Sequence, residues 1–323
     1  MRNLSLRQIR SVTAINRHGK IVAAAAEMGI TPSAVTLQLQ QLEQETGLLL
    51  FDRTTAGMRP TAAGLAVLDA ARVIEERLRV LADEIDAIKG VRRGSLRLGV
   101  VSTAKYFAPR LMAGFMAEFP DIEMRLFVGN RAETIERLKD HEIDVALMGR
   151  PPASVPVRAV VFGDHPLVII ASPDHPLVGR RDLSREEVAR EAFLMREPGS
   201  GTRISMEIFM RDVSGWLEKP AIEMDSNETI KQSVMAGLGV AFISAHTVAS
   251  ELETSRLALL DVVGLPIRRE WFAVARSDRA MTPAMAAFHD FLARKGARHL
   301  PLFSQLYADA GISSPARPAA IES

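Results

Sequence analysis

The chain of 323 residues contains no cysteine, and its net charge is only +1. The absence of cysteine excludes disulfides, thiolate metal sites and cysteine nucleophiles, and it fits a reducing compartment. No segment reaches the roughly 20 uninterrupted apolar residues of a membrane span, and the N-terminal stretch lacks the apolar core of a signal peptide. Hydrophobic content of 47% with 24% charged residues is typical of globular domains. We therefore expect a cytoplasmic protein with no membrane partner.

Familiar catalytic and metal-binding motifs are also missing. The seven histidines include no HExxH pair, and the sequence has no GxSxG or Walker A match. His165 and His175 each stand between Asp and Pro, a pattern that indicates a turn rather than a metal site. The segment GSGT at 199–202 resembles a phosphate loop only loosely. We expect neither an enzyme nor a metal site, and no resident cofactor.

Residues 1–60 predict a small domain of short helices followed by a β-wing. The third helix has a good N-cap in Thr31, and Pro32 suits the first helical position, where a missing N–H costs nothing. The Gly-containing turn before it is typical of a helix-turn-helix. After Gly47, an apolar run, a Thr/Gly turn and a return arm indicate the wing.

The third helix has an unusual solvated face. Val35, Leu39 and Leu42 share one side at 3.6 residues per turn, and the opposite side carries hydroxyls and amides instead of Lys and Glu. Hydroxyl and amide groups can read base edges in the DNA major groove, while arginines and helix N-termini contact phosphates. We therefore predict a DNA-binding set on this helix and the wing, consisting of Thr31, Pro32, Ser33, Thr36, Gln40, Arg53 and Arg59.

Residues 61–90 predict one long linker helix. Apolar residues follow each other at alternating spacings of four and three, which is a heptad seam long enough for a coiled coil. A surface helix packed on a globular core is the alternative. We expect the seam to join two copies of the chain through Val67, Ala71, Ile74, Leu78, Leu81, Ile85 and Ile88.

Residues 91–296 alternate short apolar strands with amphipathic helices, which predicts a parallel α/β architecture. The strands are expected at LRLGVV, MRLFV, DVALMG, LVIIAS, AIEMD, VAFIS and WFAVA. Residues 297–323 are rich in Ala, Ser and Pro, and we expect them to be a flexible tail. The predicted fold class is therefore α/β, with an all-α and winged N-terminal part.

Several strand-to-helix junctions of the α/β region carry hydroxyl or amide residues with cations nearby. Each junction alone is also an ordinary helix cap, but convergent helix N-termini with Arg and Lys favour an anionic ligand near the carboxyl ends of the strands. The predicted effector-binding set is Ser102, Thr103, Lys105, Asn130, Arg131, Arg150, Ser200, Gly201, Thr202, Arg203, Ser226 and Asn227.

The order of these parts resembles a LysR-type transcriptional regulator over nearly the full length. The stretch AAAEMGITPSAVTLQLQQLEQETGLLLFDR, followed by TAAG, carries the N-terminal resemblance. More narrowly, VSTAKYFAPRL, VGNRAETIERL, DVALMGRPP, REPGSGTR, SNETIKQSVMAGLGVAFIS and GLPIRREW are similar to the group that regulates Calvin-cycle, RuBisCO-encoding operons.

The resemblance implies a winged helix-turn-helix, a linker helix and a two-subdomain effector module like that of periplasmic binding proteins. Its halves would be residues 95–163 with 268–295, and residues 164–267. It further implies a transcriptional activator that contacts RNA polymerase, binds palindromic promoter sites with a T-N11-A element and assembles as a tetramer. The implied effectors are NADPH or phosphorylated metabolites such as ribulose 1,5-bisphosphate and phosphoenolpyruvate.

The chain departs from the family pattern at three places in the DNA-reading region. Pro32 and Ser33 stand where a Gln-Pro pair is common, and Leu37 stands where a basic or amide residue is common. Lys20, before the second helix, replaces a small or hydroxyl residue, and a phosphate contact would suit it. These departures leave the operator sequence open.

Three other functions remain open from sequence. The first is a regulator of the same family for another pathway, with an aromatic or amino-acid effector; the basic side chains argue against an apolar ligand but permit a carboxylate. The second is a cytoplasmic small-molecule receptor without gene control, which the helix-turn-helix opposes. The third is an enzyme that uses the Gly-rich loop for phosphate, although no convincing base or nucleophile accompanies that loop.

Overall fold

The computed structural model describes residues 4–88, 94–216 and 222–301, without the side chains at 83, 84 and 86–88. Two compact units divide between residues 85 and 86. The predicted winged helix-turn-helix is confirmed in the first unit. Its elements are α1 (Leu6–His18), α2 (Ile21–Met28), α3 (Pro32–Thr46), β1 (Phe51–Thr54), β2 (Gly57–Pro60) and α4 (Ala62–Ile88).

The helices of the first unit begin and end where local chemistry dictates. Ser5 and Gln8 form a capping box that starts α1, and the side chain of Thr31 accepts the Ala34 N–H to start α3. Helices α1, α2 and α3 each end at a glycine in the left-handed conformation, which suits a residue without a Cβ. The apolar sides then meet in one small core, with Ile15, Val35 and Leu42 fully buried.

The second unit is the α/β module. It consists of β3 (Gly94–Val101), α5 (Ala108–Glu118), β4 (Ile122–Gly129), α6 (Arg131–Lys139), β5 (Val145–Met148), β6 (Val157–Ala171), α7 (Arg185–Val188), β7 (Leu194–Arg196), α8 (Gly201–Met210), β8 (Ile222–Met224), α9 (Asn227–Met235), β9 (Ala241–Ser244), α10 (Ala249–Glu253), β10 (Ala258–Leu259), β11 (Ile267–Arg276) and α11 (Pro283–Lys295).

Two long antiparallel strands, β6 and β11, run through both halves of this module. Their pairing extends from Val157 opposite Arg276 to Leu167 opposite Ile267. On one side, β3 pairs in parallel with β4 and β5, and on the other side β9 and β10 pair antiparallel with β6. The sheet is thus mixed, and the prediction of a parallel architecture holds in this sheet only for β3–β5, because β6 and β11 return antiparallel between the halves. The sequence analysis missed β7, β10 and the first parts of β6 and β11.

Separate apolar cores cover the different parts of this central strand pair. Phe162 and Trp271 belong to the core of the first half, together with α5, α11 and β3–β5. Beyond them, Leu167 and Ile169 face one core of the second half, while Val168 and Ile170 face another. This alternation is the ordinary two-sided pattern of a strand buried on both faces. The halves therefore have separate cores and share β6 and β11.

Part of the expected tail belongs to the fold. Residues Gly296–His299 form a 3-10 turn, and Leu300 packs in the core of the first half, so order continues past residue 296. The remainder of the expected tail, residues 302–323, lies outside the described residues. Among the residues that the structure describes, no helix has the length and apolarity needed to cross a bilayer.

Gly239, just before β9, is a position where we expect substitution to be costly. Its φ is +154°, and a Cβ there would stand 2.1 Å from the Ala192 carbonyl oxygen. That carbonyl accepts the Val240 N–H, which links this loop to the strand region at 193–194. Gly239→Ala is therefore expected to destabilise the α/β unit by about 2–4 kcal/mol, through backbone strain and overpacking.

The matched control is Gly237→Ala, two residues earlier. Gly237 also has positive φ, but nothing lies within 4 Å of its added Cβ, so only the left-handed backbone penalty of about 1–2 kcal/mol applies. Urea unfolding followed by near-UV circular dichroism measures both variants. Equal destabilisation by the two substitutions would contradict the role of the Ala192 contact.

Candidate nucleic-acid interface and anion site

A polar surface lies along the exposed side of α3. Val35, Leu39 and Leu42 are buried as expected from their spacing. Thr36 is half-buried, and its hydroxyl donates to the Pro32 carbonyl at 2.9 Å, so only its acceptor capacity is left for a ligand. We use the name α3 polar surface for the exposed set Thr31, Pro32, Ser33, Leu37, Gln40, Gln41 and Gln44.

The wing hairpin lies beside the turn that joins α1 and α2. Asp52 pairs with Arg59 and Arg53 pairs with Met58 across β1 and β2, and both arginines are exposed. The Met58 N–H donates to the Gly19 carbonyl at 2.8 Å, which ties the wing to the residue before Lys20. Exposed cations in this arrangement are suited to contact a phosphate backbone.

The apolar residues of the linker helix α4 are covered in its first part and exposed in its second part. Val67 and Ala71 are covered by the chain itself, and Val67 packs on the helix-turn-helix core. Leu81 and Ile85, by contrast, are 50% and 41% exposed. Ile74 and Leu78 are intermediate, and the side chain of Ile88 lies outside what the structure describes. The expected seam is therefore open to a partner only in its second part.

In the α/β unit, a cavity of about 240 Å³ lies between the two halves. Seven predicted effector residues line it, namely Ser102, Thr103, Arg131, Arg150, Ser200, Gly201 and Thr202. Ser200–Thr202 are the N-terminal turn of α8, and the Ser200 side chain makes no capping hydrogen bond there. The first backbone N–H groups of α8 are thus available to an anion.

Three arginines give this cavity a strong positive character, and we call it the arginine cavity. Arg131, Arg150 and Arg269 line it, whereas no Asp or Glu is among its lining residues. Burial, followed by the charges of Arg150 and Arg269, lowers the pKa of Arg131. Burial and Arg150 likewise lower the pKa of Arg269. An anion would relieve this repulsion between cations.

Arg131 also shapes the wall of the cavity. Its guanidinium donates to the carbonyl of Arg150 and, at 3.5 Å, to the carbonyl of Pro151. These bonds hold the loop after β5 against the start of α6. Arg131 is therefore both a charge in the cavity and a brace for the segment that carries Arg150.

Five predicted effector residues do not line the arginine cavity. Asn130 forms the capping box of α6 with Glu133, and Arg203 pairs with Glu207 and Glu223. The ammonium group of Lys105 lies over the ring of Tyr106. Two more serve α9, because Ser226 caps it and the buried Asn227 accepts a bond from Arg196.

Two basic residues of the cavity, His165 and Arg269, were missed by the sequence analysis. The prediction of a turn at His165 was wrong, because His165 lies inside β6 and is buried. The second Asp-His-Pro segment does form a turn, in which the His175 ring accepts the Leu177 N–H. Arg269 lies opposite His165 on β11. Proline is unusual within a strand, so Pro166 hid the strand that carries His165.

A second contact zone joins the two halves beside the cavity. The Tyr106 hydroxyl donates to Glu228 at 2.5 Å, and the Arg196 guanidinium donates to the Ser102 hydroxyl at 3.1 Å. Burial, followed by Glu228, raises the pKa of Tyr106. The described residues contain no group of three or more His, Asp or Glu side chains suited to a metal ion. The zone thus consists of hydrogen-bonded pairs.

Comparison with known proteins shows the same two-part organisation. The family model described as "Bacterial regulatory helix-turn-helix protein, lysR family" matches residues 6–65, and "LysR substrate binding domain" matches residues 89–297. The HTH-type transcriptional regulator CbbR of Sinorhizobium medicae is 60% identical over 95% of this chain and 98% of its own. The RuBisCO operon transcriptional regulator of Allochromatium vinosum is 45% identical over 92% of this chain and 98% of its own.

A solved structure resembles the α/β unit. The regulatory domain of Synechocystis PCC6803 CcmR, in complex with 2-PG, is 36% identical. It covers 62% of this chain and 97% of its own length, with a TM-score of 0.59. The two family matches and the near full-length relatives cover both units, and this solved structure resembles the α/β unit. The chain belongs to the LysR family of bacterial helix-turn-helix transcriptional regulators.

Proposed function

We propose that the protein binds promoter DNA and activates carbon-fixation genes of the RuBisCO operon type. The target genes are supported by the names of relatives that are 60% and 45% identical over almost their whole length. As an activator it would work beside RNA polymerase, in the cytoplasm with the chromosome. The single observation that carries the DNA-binding role is the α3 polar surface, a hydroxyl and amide face beside an arginine-bearing wing.

The arginine cavity is the proposed effector site. Three arginines, the start of α8 and the absence of lining carboxylates favour a small anion. A volume of about 240 Å³ suits a small phosphorylated acid such as phosphoenolpyruvate better than a dinucleotide such as NADPH. The 2-PG in the similar CcmR domain supports this choice. A carboxylate effector is the second candidate, because guanidinium groups pair with carboxylates as well.

An effector held between the halves would control DNA binding by favouring one arrangement of the halves over another. The contacts Tyr106–Glu228 and Ser102–Arg196 cross between the halves, so a rotation would change both. Liganded and free protein would then bend promoter DNA differently. Identical DNA bending with and without every candidate effector would contradict this mechanism.

We further propose that the second part of α4 joins two copies, with a tetramer built from two such dimers. Leu81 and Ile85 are spaced by one helical turn and exposed, which is the pattern of an unpaired coiled-coil seam. Leu81→Lys combined with Ile85→Lys is expected to shift the protein to smaller species in sedimentation velocity. Ala286→Lys combined with Ala293→Lys, both exposed on α11, adds the same two charges and is the control. Unchanged sedimentation of the double variant would place the interface elsewhere.

Fluorescence anisotropy on labelled DNA tests the main proposal. DNA from upstream of the protein's own gene and from a RuBisCO operon is titrated at several salt concentrations, with unrelated DNA as competitor. We expect tight, competitor-resistant binding with a steep salt dependence, and a shift on adding 2-PG, phosphoenolpyruvate, ribulose 1,5-bisphosphate or NADPH. Weak binding that ignores sequence would favour the receptor function without gene control.

A further inference from the structure

His165 is the most unusual polar group in the α/β unit. It lines the arginine cavity, yet only 7% of the residue is exposed and neither ring nitrogen has a hydrogen-bond partner. Buried polar atoms nearly always have partners, so an imidazole without one calls for an explanation. Its ring stacks on the indole of Trp271, with centroids 3.8 Å apart and planes 18° from parallel.

The charged groups that act on His165 are basic, whereas the neighbouring Asp164 and Glu270 stand at adjacent strand positions, which point to the other face of the sheet. Arg269 faces it from β11, His246 from the turn after β9, and Arg131 and Arg150 from the opposite walls of the cavity. His246 is itself neutral at physiological pH, because its Nδ1 accepts the Trp271 indole N–H at 3.0 Å and burial lowers its pKa to about 4. Burial, then His246 and Arg269, hold the pKa of His165 well below its usual value. The free protein therefore keeps His165 neutral.

We propose that His165 contacts the bound anion directly and takes up one proton from solvent as a dianion enters, so that the cavity selects phosphate dianions over monocarboxylates. This inference rests on the proposed effector site. A dianion adds two negative charges beside the imidazole, and an opposite charge nearby favours its protonated form. The imidazolium then supplies a charge-assisted N–H donor to the ligand, whereas a monocarboxylate brings only half the charge. No other bond forms or breaks.

The close approach of neighbouring backbone supports a ligand role for this ring. A Cβ on Gly149 would stand 2.5 Å from His165 Nδ1, so the glycine lets the chain pass directly beside the imidazole. Since Gly149 also lines the cavity, no side chain on that residue separates the ring from a ligand. Arg269 and His165 occupy paired positions on β11 and β6, so their side chains lie on the same face of the sheet and can contact one ligand.

Calorimetry on the full chain tests the proton uptake. Binding of 2-PG is measured at pH 7.5 in two buffers of different ionisation enthalpy, with inorganic phosphate and acetate as comparison ligands. After correction for the ligand's own ionisation, we expect close to one proton taken up per 2-PG and none with acetate. The 2-PG affinity should fall about tenfold for each unit of pH rise between 7 and 8.5, as linkage of one proton requires.

Fluorescence follows the same event at Trp271. The chain has two tryptophans, so Trp216→Phe leaves Trp271 as the only one. In that background, protonation of the stacked imidazole should quench the indole when 2-PG binds. His165→Gln should abolish the quenching and flatten the pH dependence of binding. His175→Gln, in the turn before α7, is the matched control and should change neither.

The possible outcomes separate this inference from the effector proposal. Tight 2-PG binding without proton uptake in the unaltered chain, or with unchanged pH dependence in His165→Gln, would overturn the role of His165 and leave the effector site standing. If His165→Gln does not fold, the calorimetric result on the unaltered chain still decides. Absence of binding by any of the anions would overturn the effector site and this inference with it.

Discussion

Ser33→Glu is expected to weaken specific DNA binding strongly without destabilising the N-terminal unit. Ser33 is exposed in the first turn of α3, where a carboxylate interacts favourably with the helix dipole by about 0.3–1 kcal/mol. On DNA the same charge would face base acceptors and phosphates. Loss of a base contact is worth about 1–3 kcal/mol, and charge repulsion adds to it, so we expect affinity to fall at least ~100-fold. Anisotropy and thermal unfolding measure the two effects.

The control for this prediction is Ala286→Glu. Ala286 is exposed near the start of α11, in the other unit, and its substitution changes net charge by the same amount. We expect its DNA affinity to fall only slightly, because a distant exposed charge is screened at physiological salt. If Ser33→Glu bound DNA as well as Ala286→Glu, the α3 polar surface would not be the DNA-reading element.

Arg269→Gln is expected to weaken binding of 2-PG by about 10- to 100-fold while leaving DNA affinity without effector unchanged. Arg269 is one of three guanidinium groups in the arginine cavity. A hydrogen bond to a charged group contributes about 1.5–3 kcal/mol, and glutamine keeps a neutral donor of similar shape but loses the charge. Calorimetry measures ligand affinity, and anisotropy on promoter DNA measures the basal state.

Arg268→Gln is the matched control. Successive residues of β11 point to opposite faces, and Arg268 is exposed and absent from the cavity lining. It should keep its affinity for 2-PG within about twofold, since a screened surface charge contributes little. Equal loss in both variants would mean that general positive charge, rather than the cavity, attracts the anion.

The N-terminal unit could be predicted closely because its information is local. Thr31, Pro32 and Gly47 mark the limits of α3, and the 3.6-residue period separates Val35 and Leu42 from the polar side. The wing could be predicted from the apolar run, the Thr/Gly turn and the return arm after Gly47. Nothing in those patterns indicated that Val67 packs on the helix-turn-helix core, because a heptad seam looks the same whichever chain covers it.

The arginine cavity could be predicted only in part. Ser200–Thr202 and Ser102 stand at strand-to-helix junctions, which sequence patterns reveal. Arg269 and His165 lie within two strands, β11 and β6, that meet only through long-range pairing, and local composition does not reveal the register of that pairing. Conversely, Asn130 and Ser226 cap α6 and α9. Asn and Ser are common N-cap residues, so their presence at these junctions predicts a helix cap as well as it predicts a ligand contact.

The continuous pair β6–β11 limits which motions link the two halves. Two strands that cross together, paired on both sides of the boundary, resist hinge-like bending in the plane of the sheet more than they resist torsion about their common axis. The pairing register shifts between Trp271 and Phe272, so the ladder is irregular there, and we expect torsion to be easiest at that point. Trp271 carries the stacked His165 ring at the same place. We therefore expect torsion between the halves to be centred beside His165 in the wall of the arginine cavity, where an anion bound at the proposed site would act on it directly.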